Sequence, residues 1–359
     1  MKNKTKNIVT IIGSFFIGVM LTIVTFYNYP TLINQNKTVY EKNVTITDTG
    51  LSESVSKVYN SVAIISNYVN DELYASGSGF IYKIDGNDTY IITNHHVIEN
   101  GQTFKVTYSN NKSIDAVLVG SDEYTDIAVL KVATVDGYNA VTIGESDKVN
   151  PGDTTFVLGT PLDSTYSFTV TRGIISGKER LVEVSSSNNN DFVINVMQTD
   201  AAVNSGNSGG PLCNANGEVI GVVNAKLSGT GIEGMGFAIP IETATKKALE
   251  IINNKVTEYP YIGVSIANVS NLKNSFKYQN ITVSNGVYIL SIEKNSPAYG
   301  KLENGDIIVK VNDVDVSNIA YFRYELYKCN VNDEITITVL RNNKEKDIKI
   351  KLTAKNKNI

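Results

Sequence analysis

The chain has no tryptophan, two cysteines and two histidines among 359 residues, and each scarcity closes off a kind of chemistry. Cys213 and Cys329 lie far apart in different segments, so no disulfide framework is available and an apolar core has to hold the fold. Cys213 stands in an apolar context and reads as a small core residue. His95 and His96 are adjacent, with no H-E-x-x-H and no cysteine nearby, which falls short of a metal ligand set. No metal or other cofactor is expected. Thirty-two Lys and Arg against 36 Asp and Glu give a formal net charge of −4, and nothing basic enough to mark a nucleic-acid groove.

Charge is also missing from residues 8–27, an apolar run rich in Ile, Val and Phe preceded by Lys2, Lys4 and Lys6. A run of about twenty such residues spans a bilayer. It reads as a transmembrane signal anchor, with residues 1–7 as a cytoplasmic tail and the rest of the chain outside the cell membrane. The alternative is a cleaved signal peptide, but the run is long for an h-region and no A-x-A-like site follows in Asn28-Tyr29-Pro30-Thr31. A polar linker covers residues 28–50.

What the chain does have is a serine set among glycines directly before a new apolar run, Asn204-Ser205-Gly206-Asn207-Ser208-Gly209-Gly210-Pro211-Leu212. A serine hydroxyl is a poor nucleophile unless a base takes its proton and nearby donors hold the charge of the tetrahedral intermediate. Glycines at 206, 209 and 210 let the backbone take positive φ, so that consecutive N–H groups converge beside the hydroxyl. The plain alternative is a flexible turn between two strands.

Any imidazole base for Ser208 has to be His95 or His96, at the end of the strand-like run Tyr90-Ile91-Ile92-Thr93-Asn94. The G-x-S-x-G spacing also fits a nucleophile elbow, but in that fold the histidine follows the serine, and here none does. A subtilisin-like order needs an aspartate first, and Asp85 and Asp88 sit in the turn Asp85-Gly86-Asn87-Asp88, where Asp is expected for turn reasons. Between the histidines and the serine, Asp126 opens the apolar run 127–132, where only a paired acid is comfortable. Asp115 and Asp122 have more polar neighbours and read as surface residues. The candidate set is therefore His96, Asp126 and Ser208, in the chain order of the chymotrypsin-like double barrel.

Thr93-Asn94-His95-His96-Val97, Thr125-Asp126-Ile127-Ala128 and Gly206-Asn207-Ser208-Gly209-Gly210-Pro211-Leu212 together resemble the histidine, aspartate and serine motifs of the HtrA/Deg serine proteases. Gly77-Ser78-Gly79-Phe80-Ile81, Gly173-Ile174-Ile175-Ser176 and Gly236-Phe237-Ala238-Ile239-Pro240 extend the resemblance. It implies a serine endopeptidase in which His96, next to Val97, is the general base, while His95 falls on a variable position. Asp126 would hold the imidazole tautomer, and the backbone N–H groups of Gly206 and Ser208 would form the oxyanion hole. Residues 236–239 (Gly236, Phe237, Ala238, Ile239) are expected near a pocket for small or medium apolar P1 side chains, with Glu233 on a solvated turn. Leu158-Gly159-Thr160-Pro161-Leu162-Asp163 departs from the family's commoner G-N/S-P-x-G, and residues 185–191 form a polar loop where the family carries a regulatory one.

Short β-branched runs around residues 80–81, 91–92, 104–108, 127–132, 156–158, 193–197 and 219–224, punctuated by Gly, Asn and Asp, read as barrel strands, so the fold class is mainly β. Ile241, Ala244, Ala248, Ile251 and Ile252 mark a helix that Asn253-Asn254 ends. The trypsin-like domain is placed at 51–255. Residues 259–353 resemble a PDZ domain, with a tail at 354–359. By that resemblance the loop Tyr261-Ile262-Gly263-Val264 offers N–H groups to a C-terminal carboxylate, and a helix over 319–327 walls the groove with Phe322 and Leu326. The alternative for these two is plain core. The resemblance implies unfolded or damaged proteins as substrates, exposed C-terminal segments as PDZ ligands, and a homotrimer. A chaperone-like or scaffold protein with an idle protease site, and an esterase, are the competing classes.

Overall fold

The computed structural model describes residues 2–28, 48–160, 168–184, 192–227, 234–254, 258–272 and 281–354. The chain forms two units, Met1–Ile46 and Thr47–Ile359. The first contains one helix, α1 (Lys2–Asn28). It covers the whole run expected to span a membrane, yet among the described residues no helix is long and apolar enough to do so, and the side chains of α1 are described only from Ile12 onward. Glu233, Asp163 and the 185–191 loop lie outside the described residues.

The second unit opens with α2 (Asp48–Tyr59). Strands β1 (Val62–Val69), β2 (Glu72–Asp85) and β3 (Asp88–Asn94) follow, then the single-turn helix α3 (His95–Ile98). Strands β4 (Thr103–Thr107), β5 (Ser113–Asp122) and β6 (Ile127–Ala133) close a barrel in the order β1-β2-β3-β6-β5-β4. Asp85 pairs with Asp88 across the Gly86-Asn87 turn, the role expected of both acids. A second barrel is built from β7 (Thr154–Gly159), β8 (Thr169–Val184), β9 (Phe192–Thr199), β10 (Pro211–Asn214), β11 (Val219–Val223) and β12 (Gly236–Pro240). It closes in the order β10-β11-β12-β9-β8-β7, and α4 (Ile241–Ile252) follows.

The apolar runs are nearly continuous because both faces of these strands are covered. Along β3, Ile91 packs inside the first barrel while Ile92 turns into the large core shared with the second; on β6, Leu130 and Val129 divide in the same way. Phe156, Leu158, Val222, Phe237 and Ile239 join that shared core from the second barrel. Each such side chain contributes roughly 1.5–3 kcal/mol on burial, and the shared cluster presses the two barrels together along the seam where the site lies.

The remaining elements are β13 (Pro260–Tyr261), β14 (Val264–Asn268), α5 (Val269–Leu272), β15 (Val287–Ile292), β16 (Ile307–Val311), β17 (Val314–Asp315), α6 (Ile319–Tyr327), β18 (Glu334–Arg341), β19 (Lys344–Lys351) and β20 (Thr353–Ala354). They form a sheet β14-β15-β16-β18-β19, with β17 beside β16 and β13 paired to β20. The Asn318 side chain caps α6 by accepting from the Tyr321 N–H at 3.0 Å. Phe322 and Leu326 are buried in this domain's core, which is the plainer of the two expectations for them. Asp306 is 1% exposed and receives two 2.7 Å hydrogen bonds from Arg341 Nε and Nη2.

Asp122 is a buried residue, 8% exposed, and not a surface one. Its Oδ2 accepts from Thr125 N–H and Oγ1, and its Oδ1 accepts from the Tyr259 hydroxyl, 137 residues later, a partner that no local pattern announces.

Candidate active site

The histidine sits where β3 breaks into α3, and the aspartate on the tight connection between β5 and β6. Asp126 adopts φ 53°, a left-handed conformation that Asp tolerates better than most residues. In that conformation its carbonyl accepts from His95 N–H at 3.1 Å and Asn94 Nδ2 at 2.9 Å. Its carboxylate, on a side chain 6% exposed, faces His96. Oδ1 accepts from the His96 backbone N–H at 2.9 Å, and Oδ2 lies 2.7 Å from His96 Nδ1. A carboxylate at that distance accepts a hydrogen bond from Nδ1–H, which keeps the proton on Nδ1 and leaves the lone pair on Nε2. Asn224 Nδ2 donates to the same Oδ2 at 2.7 Å.

Ser208, 5% exposed, is presented by a loop pinned between the barrels. Ser78 on β2 does the pinning: its N–H donates to Ser208 O at 2.8 Å and its Oγ to Gly206 O at 2.7 Å. Ser78 Oγ in turn accepts from Thr160 N–H at 3.0 Å, and Ser78 O accepts from Thr93 Oγ1 at 2.7 Å. Gly209 has φ 84°, and a Cβ there would fall 2.2 Å from Ser78 O and 2.4 Å from Thr93 Oγ1, so only glycine fits. Gly206 has φ 98°. Among the described residues neither the Gly206 nor the Ser208 N–H meets an acceptor, so both donors remain available at the loop. Ser208 Oγ accepts from the Ala225 N–H at 3.1 Å; among the described residues it has no hydrogen bond to His96.

His95 points away from this set, with Nδ1 3.0 Å from Ser121 Oγ, as adjacent residues at a strand exit must diverge. It lines a cavity of about 470 Å³ together with Asp126, Asn224, Glu99 and Glu123, over an apolar floor of Val184, Phe192, Ile194 and Leu227. Gly236, Phe237, Ala238 and Ile239 are absent from that lining. They form β12 and are buried, Phe237 and Ile239 in the core shared by the barrels and Ala238 in the core of the second barrel. In the second domain, Gly263 has φ 80° between a buried Ile262 and the start of β14, an edge strand of its sheet. Tyr261 hydrogen-bonds Glu293 through its hydroxyl. Burial, then that bond, pushes the Tyr261 hydroxyl up to about 12.

Two residues of the site escaped the sequence reading as functional positions. Asn224 follows the apolar run of β11 and is joined to Asp126 only by folding. Ser78 carried a signal, the flanking glycines Gly77 and Gly79, without a hint of its partner. Among the described residues no group of His, Cys, Asp and Glu is placed to hold a metal ion.

Two closed barrels with an acid–histidine pair and a glycine-framed serine at their seam define a trypsin-like serine endopeptidase, here joined to a PDZ domain. Residues 77–222 match the trypsin-like peptidase domain family and residues 260–352 the PDZ domain family. The chain is 38% identical over 283 residues to the serine protease Do-like HtrB of Bacillus subtilis (strain 168), covering 77% of this chain and 62% of that protein's length. It is 34% identical to the serine protease Do-like HtrA of Lactococcus lactis subsp. cremoris (strain MG1363), covering 85% of this chain and 83% of that one. A solved structure, the HtrA-type protease AlgW with decapeptide, matches with a TM-score of 0.64 at 27% identity over 85% of this chain and 98% of its own. The chain belongs to the HtrA family of serine proteases.

Proposed function

We propose that Ser208, His96 and Asp126 act as nucleophile, general base and orienting acid in the hydrolysis of peptide bonds. Ser208 Oγ attacks the scissile carbonyl while His96 Nε2 takes its proton; the tetrahedral intermediate collapses as His96 protonates the leaving amine, and water repeats the sequence on the acyl-enzyme. The N–H groups of Gly206 and Ser208 receive the oxyanion, each worth about 100- to 1,000-fold in turnover. The observation that carries this reading is the Asp126 carboxylate, held by His96 N–H, His96 Nδ1 and Asn224 so that one imidazole tautomer is imposed. The Ser208 hydroxyl turned to Ala225 favours a resting conformation, which the hydroxyl has to leave before His96 can take its proton.

Beyond the class of reaction, the reading is of an enzyme that cuts unfolded or damaged proteins, whose PDZ domain takes exposed C-terminal segments at the loop 261–264 and along the β14 edge. The similar AlgW structure is one with a decapeptide, which supports a peptide-binding groove here. The uncharged run 8–27, after three lysines, supports an anchor in the cell membrane with both domains on the outer side. Homotrimer formation rests on the family alone.

The test is cleavage of a permanently unfolded protein by the full chain, with Ser208→Ala, His96→Ala and His95→Ala in parallel. Loss in the first two alone supports the assignment. A wild type that cleaves nothing even with a C-terminal peptide added would leave peptide binding as the activity, with an idle protease site.

A further inference from the structure

The turn that carries Asp126 is held from outside the peptidase barrels. Asp122 ends β5, pairs with Ile127 across the connection to β6, and leaves Glu123, Tyr124, Thr125 and Asp126 to make the turn. Its buried carboxylate is fully engaged: Oδ2 accepts from Thr125 N–H at 2.9 Å and Oγ1 at 2.6 Å, and Oδ1 accepts from the Tyr259 hydroxyl at 2.5 Å. Fixing Thr125 fixes the entry to Asp126, whose left-handed backbone aims its carbonyl at Asn94 and His95 and its carboxylate at His96. A non-glycine residue keeps such a conformation only where its surroundings over-determine it.

Tyr259 belongs to the segment between α4 and β13, where the peptidase domain passes into the PDZ domain. Its ring meets Tyr124 of the turn at 4.8 Å and Tyr327, the last residue of α6, at 4.6 Å; Tyr124 and Tyr327 are 4.9 Å apart. Lys247 of α4 lies over the Tyr259 ring at 5.5 Å, and the charge of Arg323 on α6 acts on Tyr327. Burial, reinforced by Asp122, raises the Tyr259 hydroxyl far above its ordinary range, so it stays a donor.

We propose that Tyr259 is a positioning residue for Asp126, acting through the Asp122 carboxylate and Thr125, with Tyr327 of the PDZ helix packed against its ring to keep it in place. The proposal rests on Asp126 orienting His96. Without the Tyr259 hydroxyl, a buried carboxylate oxygen loses its donor, and the side chain has to rotate toward another one. That rotation releases Thr125 and with it the aim of Asp126.

The chain's two histidines make the test direct, because histidine labelled with 15N reports on two imidazoles alone. The full chain and its Tyr259→Phe, Thr125→Val, Thr125→Ser, Asp126→Asn and Tyr108→Phe variants are compared for kcat and KM on a quenched peptide and for the downfield Nδ1–H signal of His96. Tyr259→Phe and Thr125→Val are expected to lower kcat about 5- to 30-fold, the effect of one or two kcal/mol, with KM nearly unchanged. Both are expected to displace the His96 signal and leave that of His95 alone. Thr125→Ser, which keeps the hydroxyl, restores both readouts. Tyr108→Phe, a buried ring stacked on Tyr138 at 4.3 Å in the first barrel, changes neither. Should Tyr259→Phe lose its fold, the Thr125→Val and Thr125→Ser pair carries the test. An unmoved kcat and His96 signal in Tyr259→Phe, with activity abolished in Asp126→Asn, overturns the proposal and leaves the triad standing. Full activity in Asp126→Asn overturns both.

Discussion

Asn224→Ala removes one of the three donors that hold the Asp126 carboxylate and touches little else. The Asn224 N–H still donates to Phe237 O at 2.9 Å, so the backbone beside the serine keeps its place. The lost bond, Asn224 Nδ2 to Asp126 Oδ2 at 2.7 Å, is charge-assisted and buried. Removing such a partner costs about 1.5–3 kcal/mol. If the whole cost falls on the aim of the carboxylate, turnover drops about 10- to 150-fold at one tenfold step per 1.36 kcal/mol. A share spent on global stability lowers the urea midpoint instead and shrinks the kinetic effect. The assay is therefore steady-state cleavage of a quenched peptide well below the unfolding transition, with urea denaturation of the same sample. Asn224→Asp, which sets a second carboxylate against the first, is expected to lose more. Turnover within twofold of wild type in Asn224→Ala, with the midpoint unmoved, would refute the role given to this hydrogen bond.

Gly209→Ala puts a Cβ 2.2 Å from Ser78 O and forces a left-handed alanine costing about 1–2 kcal/mol. Inactivity toward a serine-reactive fluorophosphonate is expected, and normal labelling would count against the cross-barrel lock. In the PDZ domain, Arg341→Met leaves the buried Asp306 carboxylate without its counter-charge and with the Glu303 N–H as its remaining donor; a loss of about 3 kcal/mol is expected in urea unfolding, and a loss below 1 kcal/mol would contradict it. Burial, then Tyr138, raises the Tyr108 hydroxyl from 10.0 to about 12, and burial raises Tyr259 and Tyr327 further. Between these limits the unfolded chain has lost protons that the folded chain retains. Stability is thus complete below pH 10 and falls as pH rises through about 12. Urea midpoints measured from pH 8 to pH 11 would show the decline, and a flat profile would rule out buried, protonated tyrosines.

The candidate base was legible in the sequence because histidine is scarce, whereas Asp126 and Ser208 stood out from many acids and serines only by their neighbours. Two histidines, both upstream of Ser208, leave few ways to assemble a base and a nucleophile. Glycine at 209 is demanded by its left-handed backbone and by the close approach of Ser78 O and Thr93 Oγ1. Barrel strands were legible from β-branched runs and turn residues, and α4 from its apolar spacing, since local conformation and one-sided burial leave periodic marks. The marks blur where both faces of a strand are buried: Phe237 and Ile239 of β12 pack into one core and Ala238 into another, and no alternation of polar and apolar residues separates the two faces.

Tertiary structure alone decided what stands opposite what. Asn224 reaches Asp126 across 98 residues, Ser78 reaches Gly206 across 128, and Tyr259 reaches Asp122 across 137. Each of these is a single polar contact, with no periodicity and no composition of its own. The chain dictates which groups can react because side-chain chemistry is local. Their aim, and the burial of an aspartate that looks superficial, are set only when two barrels and the segment leading to the PDZ domain close on the same turn.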